Sequence, residues 1–267
     1  MADSYDALAG VYDWLVPEAV LTPEGSVEAF AGPLALLDAG ARVLDCACGT
    51  GQLAVGLALR GFPVVASDAS HAMVERTRAL AARHAIDLAA VVCDWESLAH
   101  RGWDGSFDAV FCVGNSLMHA AGKTRRRAAL AGMAGVLREG GLLVVTSRNW
   151  ERVRELGSGL QVGDRLTERG GTAALTIHGW TIADSWEDPH FLDVAVALLD
   201  GDGGVTTHRE RLSIWPFRHD ELDDDLRAAG LSPESSTYAD EVERYLVTAH
   251  RRADAPTSPG FSPTATP

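Results

Sequence analysis

Asp45, Gly49, Gly51 and Asp68 are the first residues whose types and spacing suggest chemistry. The glycines follow the apolar run Val43-Leu44-Asp45 and precede a helical stretch, so the backbone there can approach a ligand at a helix N-terminus. Asp68 closes the next apolar run, where an acid can accept both ribose hydroxyls. A nucleoside ligand is therefore expected. The run from Gly49 to Ala54 also fits the dinucleotide fingerprint G-x-G-x-x-G/A, with Asp68 about 20 residues along. Asp45 weighs against that reading, because a carboxylate leading into the turn would repel a pyrophosphate. A sulfonium cofactor carrying an α-ammonium group reverses the sign of the interaction. Asp94-Trp95 follows the third apolar run, where a carboxylate can take an adenine amino hydrogen and an indole can stack on the ring. S-adenosylmethionine is the expected ligand. A dinucleotide-binding oxidoreductase and a non-catalytic nucleotide-binding module stand as rivals from another class. Asp45 also reads as a cap of the turn, and Asp68 as an N-cap of the helix from Ser70.

Further along, His119 lies four residues after Asn115 and shares a helical face with it, within reach of a methyl-transfer centre or simply packed as an ordinary histidine. Arg148, just after an apolar strand, reads equally as an acceptor clamp or a strand-end ion-pair residue. Cys46, Cys48, Cys93 and Cys112 sit in or beside strand-like runs and read as buried free thiols, not a disulfide framework or a metal site. Gly122-Lys123-Thr124 lacks the earlier glycine of a P-loop. Lys123 to Arg127 reads as a solvated helix start, and Asp223-Asp224-Asp225 as a solvated face.

These residues must be held by elements, and the elements are legible. Between Val43 and about Thr146 short β-rich runs alternate with Ala/Leu-rich stretches of helical period, the mark of βαβ units in a doubly wound, mostly parallel α/β sheet. The expected strands are 42–45, 64–67, 89–93, 109–113 and 142–146, and the expected helices 51–61, 70–84 and 123 to the Gly140-Gly141 stop. Residues 1–40, with Tyr12 and three prolines, read as an N-terminal helical lid. Residues 41–150 and 216–252 form the cofactor-binding domain, with a helix over 221–230 and a returning edge strand over 244–250. Residues 151–215, rich in Gly and Thr, read as an antiparallel β insertion over the strands' carboxyl ends, and 253–267 as a disordered tail.

The 267 residues carry 23 Lys and Arg against 37 Asp and Glu, a net charge of −14. That field repels nucleic acid and anionic membranes, so neither is an expected partner. The start shows no basic n-region with an apolar stretch behind it, and a cytoplasmic location is expected.

The run Leu44-Asp45-x-Ala47-Cys48-Gly49-Thr50-Gly51 resembles the first motif of class I S-adenosylmethionine-dependent methyltransferases. Within them the chain is most similar to glycine and glycine/sarcosine N-methyltransferases, through Asp68-Ala69-Ser70 with Met73, Phe107 to Ser116 with His119, Gly140 to Val145, Arg148-Asn149-Trp150 and Arg211 to Pro216. The resemblance covers residues 42–150 well and 205–230 moderately. It implies that Tyr12, Asp45, Ala47, Gly49, Gly51, Asp68, Ala69, Met73, Asp94, Trp95 and Val113 hold the cofactor. It also implies that Asn115, His119, Arg148 and Trp215 serve the reaction, with Arg148 on an acceptor carboxylate. Asp94 stands where the family often has Asn, and Trp215 where it places a Tyr. Ile214 and Trp215 are expected to form a dry wall that favours an acceptor larger than glycine. The family's N-terminal assembly arm is not evident, so a homo-oligomer stays open.

The expected activity is methylation of a small amine, amino acid or amino-acid-derived metabolite, most simply at nitrogen. The rival is C- or O-methylation of a larger aromatic. No metal is called for, since alignment along the S–CH₃ bond supplies most of the advantage. S-adenosylmethionine and its demethylated product should raise the melting temperature, whereas NAD should not. Thermal shift with the three ligands checks this, and an Asp68→Ala variant that folds and responds undiminished would remove the assignment.

Overall fold

The computed structural model describes residues 6–163 and 166–253, and the tail expected over 253–267 falls, but for its first residue, outside them. In chain order the helices and strands are α1 (Pro23–Glu28), α2 (Ala31–Leu34), β1 (Val43–Asp45), α3 (Gln52–Leu59), β2 (Val64–Asp68), α4 (His71–Arg83), β3 (Ala89–Val92), β4 (Phe107–Cys112), α5 (Gly122–Val136) and β5 (Leu137–Arg148). There follow α6 (Trp150–Leu156), β6 (Gly159–Val162), β7 (Thr167–Arg169), β8 (Thr172–Thr181), β9 (His190–Leu199), β10 (Val205–Ile214), α7 (His219–Ala228), β11 (Leu231–Ser236) and β12 (Arg244–Arg251).

The main sheet runs β11-β12-β5-β4-β1-β2-β3, with β3, β2, β1, β4 and β5 mutually parallel and β12 antiparallel to both neighbours. Its central strands are apolar throughout because alternate residues meet different layers. Leu44, Val110 and Leu143 pack with Leu130 and Met133 of α5 and Leu222 and Leu226 of α7. Val43, Ala109, Phe111 and Val144 pack with Leu53 and Leu57 of α3 and with Val27 and Phe30. The second sheet, β10-β9-β8-β6 with β7 on β8, is antiparallel, as read from the sequence.

Four readings change. Residues 23–37 are not lid: α1 lies against α3 so closely that a Cβ at Gly56 would fall 2.2 Å from the Pro23 carbonyl oxygen. Only the 3-10 turns Ala9–Leu15 and Glu18–Val20 extend over the other sheet, with Leu8 and Val11 buried among Val194, Val196, Leu212 and Ile214. Next, α5 ends at Val136 rather than at the glycines, because Gly140, at φ +70°, bends β5 where its pairing with β4 slips between Phe107 and Ala109. Third, β12 is an interior strand. The true edge is β11, whose polar sequence, proline and bulge between Pro233 and Ser235 hid it.

The fourth change concerns charge. Arg126 and Asp225, both expected in solvated runs, are buried together where α5 meets α7, at 3% and 0% exposure. Asp225 accepts from Nε of Arg126 at 2.7 Å and Nε of Arg127 at 2.6 Å, and Arg126 lies over the Phe217 ring. Helix packing selects one acid of the Asp run for the interior. Among the described residues no helix is long and apolar enough to cross a membrane.

Asp225→Ala should cost about 3–5 kcal/mol, because it strands a buried guanidinium, while Asp224→Ala should stay within about 0.5 kcal/mol. Denaturant unfolding of both variants checks the contrast.

Candidate active site

The turn after β1 is shaped by glycines in the left-handed region, Gly49 at φ +53° and Gly51 at φ +93°. At Gly51 a Cβ would meet Thr77 of α4 at 2.9 Å, so no other residue fits without displacing the helix. Thr77 Oγ1 donates to the Gly49 carbonyl at 2.9 Å and fixes the turn from the other side. Asp68 accepts from the Gly49 N–H on Oδ2 and from the Ser70 N–H on Oδ1, both at 2.9 Å. The N-cap of α4 is Ser70, whose Oγ accepts from the Met73 N–H at 3.1 Å, so Asp68 is not the cap. Burial raises the pKa of Asp68 and Asp6 adds to the rise, against the pull of those backbone N–H groups.

Asp45 is 1% exposed, and burial pushes its carboxyl up to about 7 despite the N–H groups of Ala47 and Ala54. Its Oδ1 is buried without a hydrogen-bond partner among the described residues. An uncompensated acid beside a glycine turn fits a cationic ligand and opposes a pyrophosphate.

A cleft of about 450 Å³ opens at the carboxyl ends of β1, β2 and β3, and Ala47, Asp68, Ala69, Asp94, Trp95 and His119 line it together. The Trp95 ring is pinned across it, Nε1 donating to the Cys46 carbonyl at 2.8 Å. Asp94 Oδ1 accepts from the Ser97 N–H at 2.8 Å. His119 ends a 3-10 turn; burial lowers its pKa to about 4 against a hydrogen bond to the Ser213 backbone, so the imidazole is neutral at neutral pH. Asp45, Gly49, Gly51, Met73 and Val113 lie outside the lining, with Asp45, Met73 and Val113 buried. The sequence reading missed the lining residues Cys93, Ser116 and Arg125; being ordinary in type and spacing, they gave no signal.

Asn115 holds φ +68°, a region asparagine tolerates better than most residues. Its Oδ1 accepts the Arg148 backbone N–H at 2.8 Å and its Nδ2 donates to Met118 Sδ. Arg148 itself points elsewhere. Its guanidinium lies over the Trp180 ring at 5.2 Å, in a second cavity of about 300 Å³ shared with Arg152, Gln161 and Glu243. Burial, followed by Arg244, lowers the Arg148 pKa, while Glu243 raises it.

Tyr12 is half-buried; burial and then Asp68 raise its pKa, whereas Arg244 lowers it. The surrounding lid is tethered to the start and body of α4 and to β7. Ser70 Oγ donates to Asp6, and Asp13 pairs with Arg76 of α4 at 2.9 Å. Arg169 of β7 reaches the Asp13 carbonyl and Glu18.

Trp215 lines neither cavity; its backbone N–H donates to the Met118 carbonyl at 2.8 Å and its ring faces Gly122. Ile214 is fully buried with the lid residues, because strand alternation turns it inward with Leu212. The dry acceptor wall expected from this pair is therefore not formed, and the argument against glycine loses its basis.

A family model described as a methyltransferase domain matches residues 43–141. The glycine/sarcosine N-methyltransferase of Parasynechococcus marenigrum (strain WH8102) is 40% identical over 129 residues, 48% of this chain and 45% of that protein. The match thus spans less than half the length of that relative. The glycine N-methyltransferase of Oryctolagus cuniculus is 31% identical over 208 residues, 70% of this chain and 68% of its own. Among solved structures, the CcbJ methyltransferase from Streptomyces caelestis has the same fold, with a TM-score of 0.74 at 23% identity over 95% of this chain and 100% of that one. The sugar N-methyltransferase KedS8 from a Streptoalloteichus species is 27% identical, with a TM-score of 0.62 over 80% of this chain and 81% of that one.

Asp45 sets a pH dependence. The folded protein holds its proton to about pH 7 and the unfolded chain only to about 3.8, so its contribution to stability is complete below about pH 4 and lost as pH rises through 7. At roughly 1.4 kcal/mol per pKa unit the loss is at most on the order of 4 kcal/mol. Unfolding of ligand-free Asp45→Asn beside the parent at pH 4 to 8 should show this slope removed.

Proposed function

The chain belongs to the S-adenosylmethionine-dependent methyltransferases, and from that premise we propose that it methylates the nitrogen of a small amine, amino acid or amino-acid-derived metabolite. The observation that carries the reading is the hydrogen bond from the Arg148 N–H to Asn115 Oδ1. It ties the loop that lines the cofactor cleft to the strand end that carries Arg148, the cation that would meet an acceptor carboxylate.

The cofactor, when bound, supplies a methyl group on a sulfonium already electrophilic enough to need no further activation. Asp68 would hold the ribose hydroxyls, since each of its oxygens has one backbone N–H and one remaining lone-pair direction. Trp95 and Asp94 would hold the adenine, the indole fixed in orientation by its bond to Cys46. Ala47 would contribute backbone contacts, and Asp45 the negative charge that a cationic ligand compensates. Tyr12 and the tethered lid would exclude water.

An amine attacks only through its neutral lone pair, which a desolvated chamber favours by disfavouring the ammonium form. His119, neutral and on the cleft lining, would add no positive charge there. Catalysis is then mostly alignment. Relatives named for glycine and sarcosine, and a structure named as a sugar N-methyltransferase, support testing amino acids and amino sugars first as acceptors.

A panel of glycine, sarcosine, larger amino acids, amino sugars and indole-bearing amines, with labelled cofactor and mass spectrometry of the products, tests the proposal. Methylation at carbon or oxygen would overturn it. With the accepted amine, Arg148→Lys should raise KM about tenfold or more while cofactor affinity holds, because an ammonium cannot replace a planar fork. Steady-state kinetics with a parallel cofactor titration checks the split.

A further inference from the structure

The insertion sheet has two faces, and one of them breaks the usual pattern. An antiparallel sheet packed on a core by one side carries polar residues on the other. The even-numbered residues of β8, β9 and β10 point inward: Ala174, Val194, Val196 and Leu212 are buried with Leu8 and Val11 of the lid. The strand registers gather the odd-numbered residues on the outward side of these three strands, with Leu160 and Val162 of β6 beside them. That side presents Leu175 and Ile177 of β8 and Ala195 and Ala197 of β9 to solvent. None of these six residues joins an apolar cluster among the described residues, and Leu160 is 71% exposed.

Charge, reach and size narrow what covers this side. A chain of net charge −14 is repelled by anionic membranes and by most of its own surface. On this face the charges balance, because Arg209 and Arg211 of β10 stand against Asp193 of β9, at 3.4 and 3.8 Å, and Glu168 of β7, which pairs opposite Ala173. The arginines lie at one edge of the sheet and Glu168 at the other. A two-fold axis along the strands reverses their order, so the basic edge of one copy lies over the acidic edge of the next. The chain beyond Arg251 is a poor alternative occupant. It leaves from the end of β12 where His250 pairs with Leu142, whereas the insertion follows the other end of β5. Residues 254–267 also hold a single large apolar side chain besides proline, Phe261. Three ten-residue strands, at about 3.3 Å per residue and about 4.8 Å between strands, give with β6 a face of roughly 500–600 Å². Two such faces together bury on the order of 1,000 Å², the size at which a specific interface holds.

We propose that the outward face of the insertion sheet is the interface of a two-fold dimer, packed sheet on sheet. Aligned sheets interdigitate their side chains, and small Gly179, Ala195 and Ala197 beside Leu175 and Ile177 supply the hollows and ridges for it. Arg211, its guanidinium over the Phe191 ring, and Arg209 form a polar rim. The lid packs on the inner side of the same strands, so dimer formation makes the cover of the cleft the middle of a thicker structure.

Sedimentation of the full chain across a concentration series tests the interface. The parent should sediment at twice the 28.4 kDa chain mass and melt at a temperature that rises with protein concentration. Ile177→Lys and Ala197→Lys, at partly exposed positions on different strands, should each raise the dimer dissociation constant about a hundredfold or more, since each buries an unpaired charge. Near-UV circular dichroism reports whether each variant keeps its fold, and where one does not, the other decides. Leu36→Lys, at an apolar site 59% exposed in the cofactor-binding domain, should leave the dimer intact. A parent that stays monomeric throughout the series would overturn the proposal, and so would one that is monomeric and binds zwitterionic vesicles. A dimer indifferent to a folded Ile177→Lys or Ala197→Lys, or one lost in Leu36→Lys, would overturn it equally.

Discussion

The carboxylate of Asp68 accepts from the N–H of Gly49 on one oxygen and of Ser70 on the other, and so joins the turn after β1 to the turn after β2. Both turns are the points where parallel strands release their chain toward helices. The first could not keep its shape alone, since Gly49 and Gly51 are free to adopt many conformations. With Asp68 and Thr77 bonded to the glycine turn, the loop is held by two elements at once. The acid that would meet the ribose is thus also the brace of the loop that would meet the rest of the cofactor.

The brace extends outward through side chains. Ser70 caps α4 and donates to Asp6, Asp13 meets Arg76 on the same helix, and Arg169 joins that segment to the antiparallel sheet. The lid, the helix after the ribose acid and the insertion form one connected layer over the carboxyl ends of the strands, where open α/β sheets bind ligands. On the opposite side of the cleft, Asn115 does the equivalent work, joining the loop after β4 to the end of β5. Its left-handed backbone places the side-chain oxygen where the Arg148 N–H needs an acceptor.

Charge is distributed by the same logic. The protein is strongly acidic overall, and desolvation lifts the pKa of Asp45, buried beside the glycine turn, and of half-buried Asp68 on the cleft lining. Arg148 and Arg244 stand opposite each other where β5 pairs with β12.

The sequence by itself determined the parallel sheet, the glycine turn, the antiparallel insertion and the cleft residues Asp68, Asp94 and Trp95, while the family resemblance pointed to Ala47, Ala69 and His119 on the same lining. These are local facts: continuous apolar runs need cover on both faces, glycines mark backbone that other residues cannot follow, and an acid at a strand's carboxyl end falls near the next turn. What only the tertiary structure decided depends on partners remote in the chain. Asp225 is buried while Asp224 is not, because α7 turns one of three adjacent acids toward Arg126. Ile214 packs under the lid, and Trp215 lines neither cavity, because β10 ends against the loop after β4. Arg244 stands opposite Arg148 because β12 inserts between β5 and an edge strand that composition concealed. Pairing across nearly a hundred residues sets which charges face each other, and no local pattern of residue types records it.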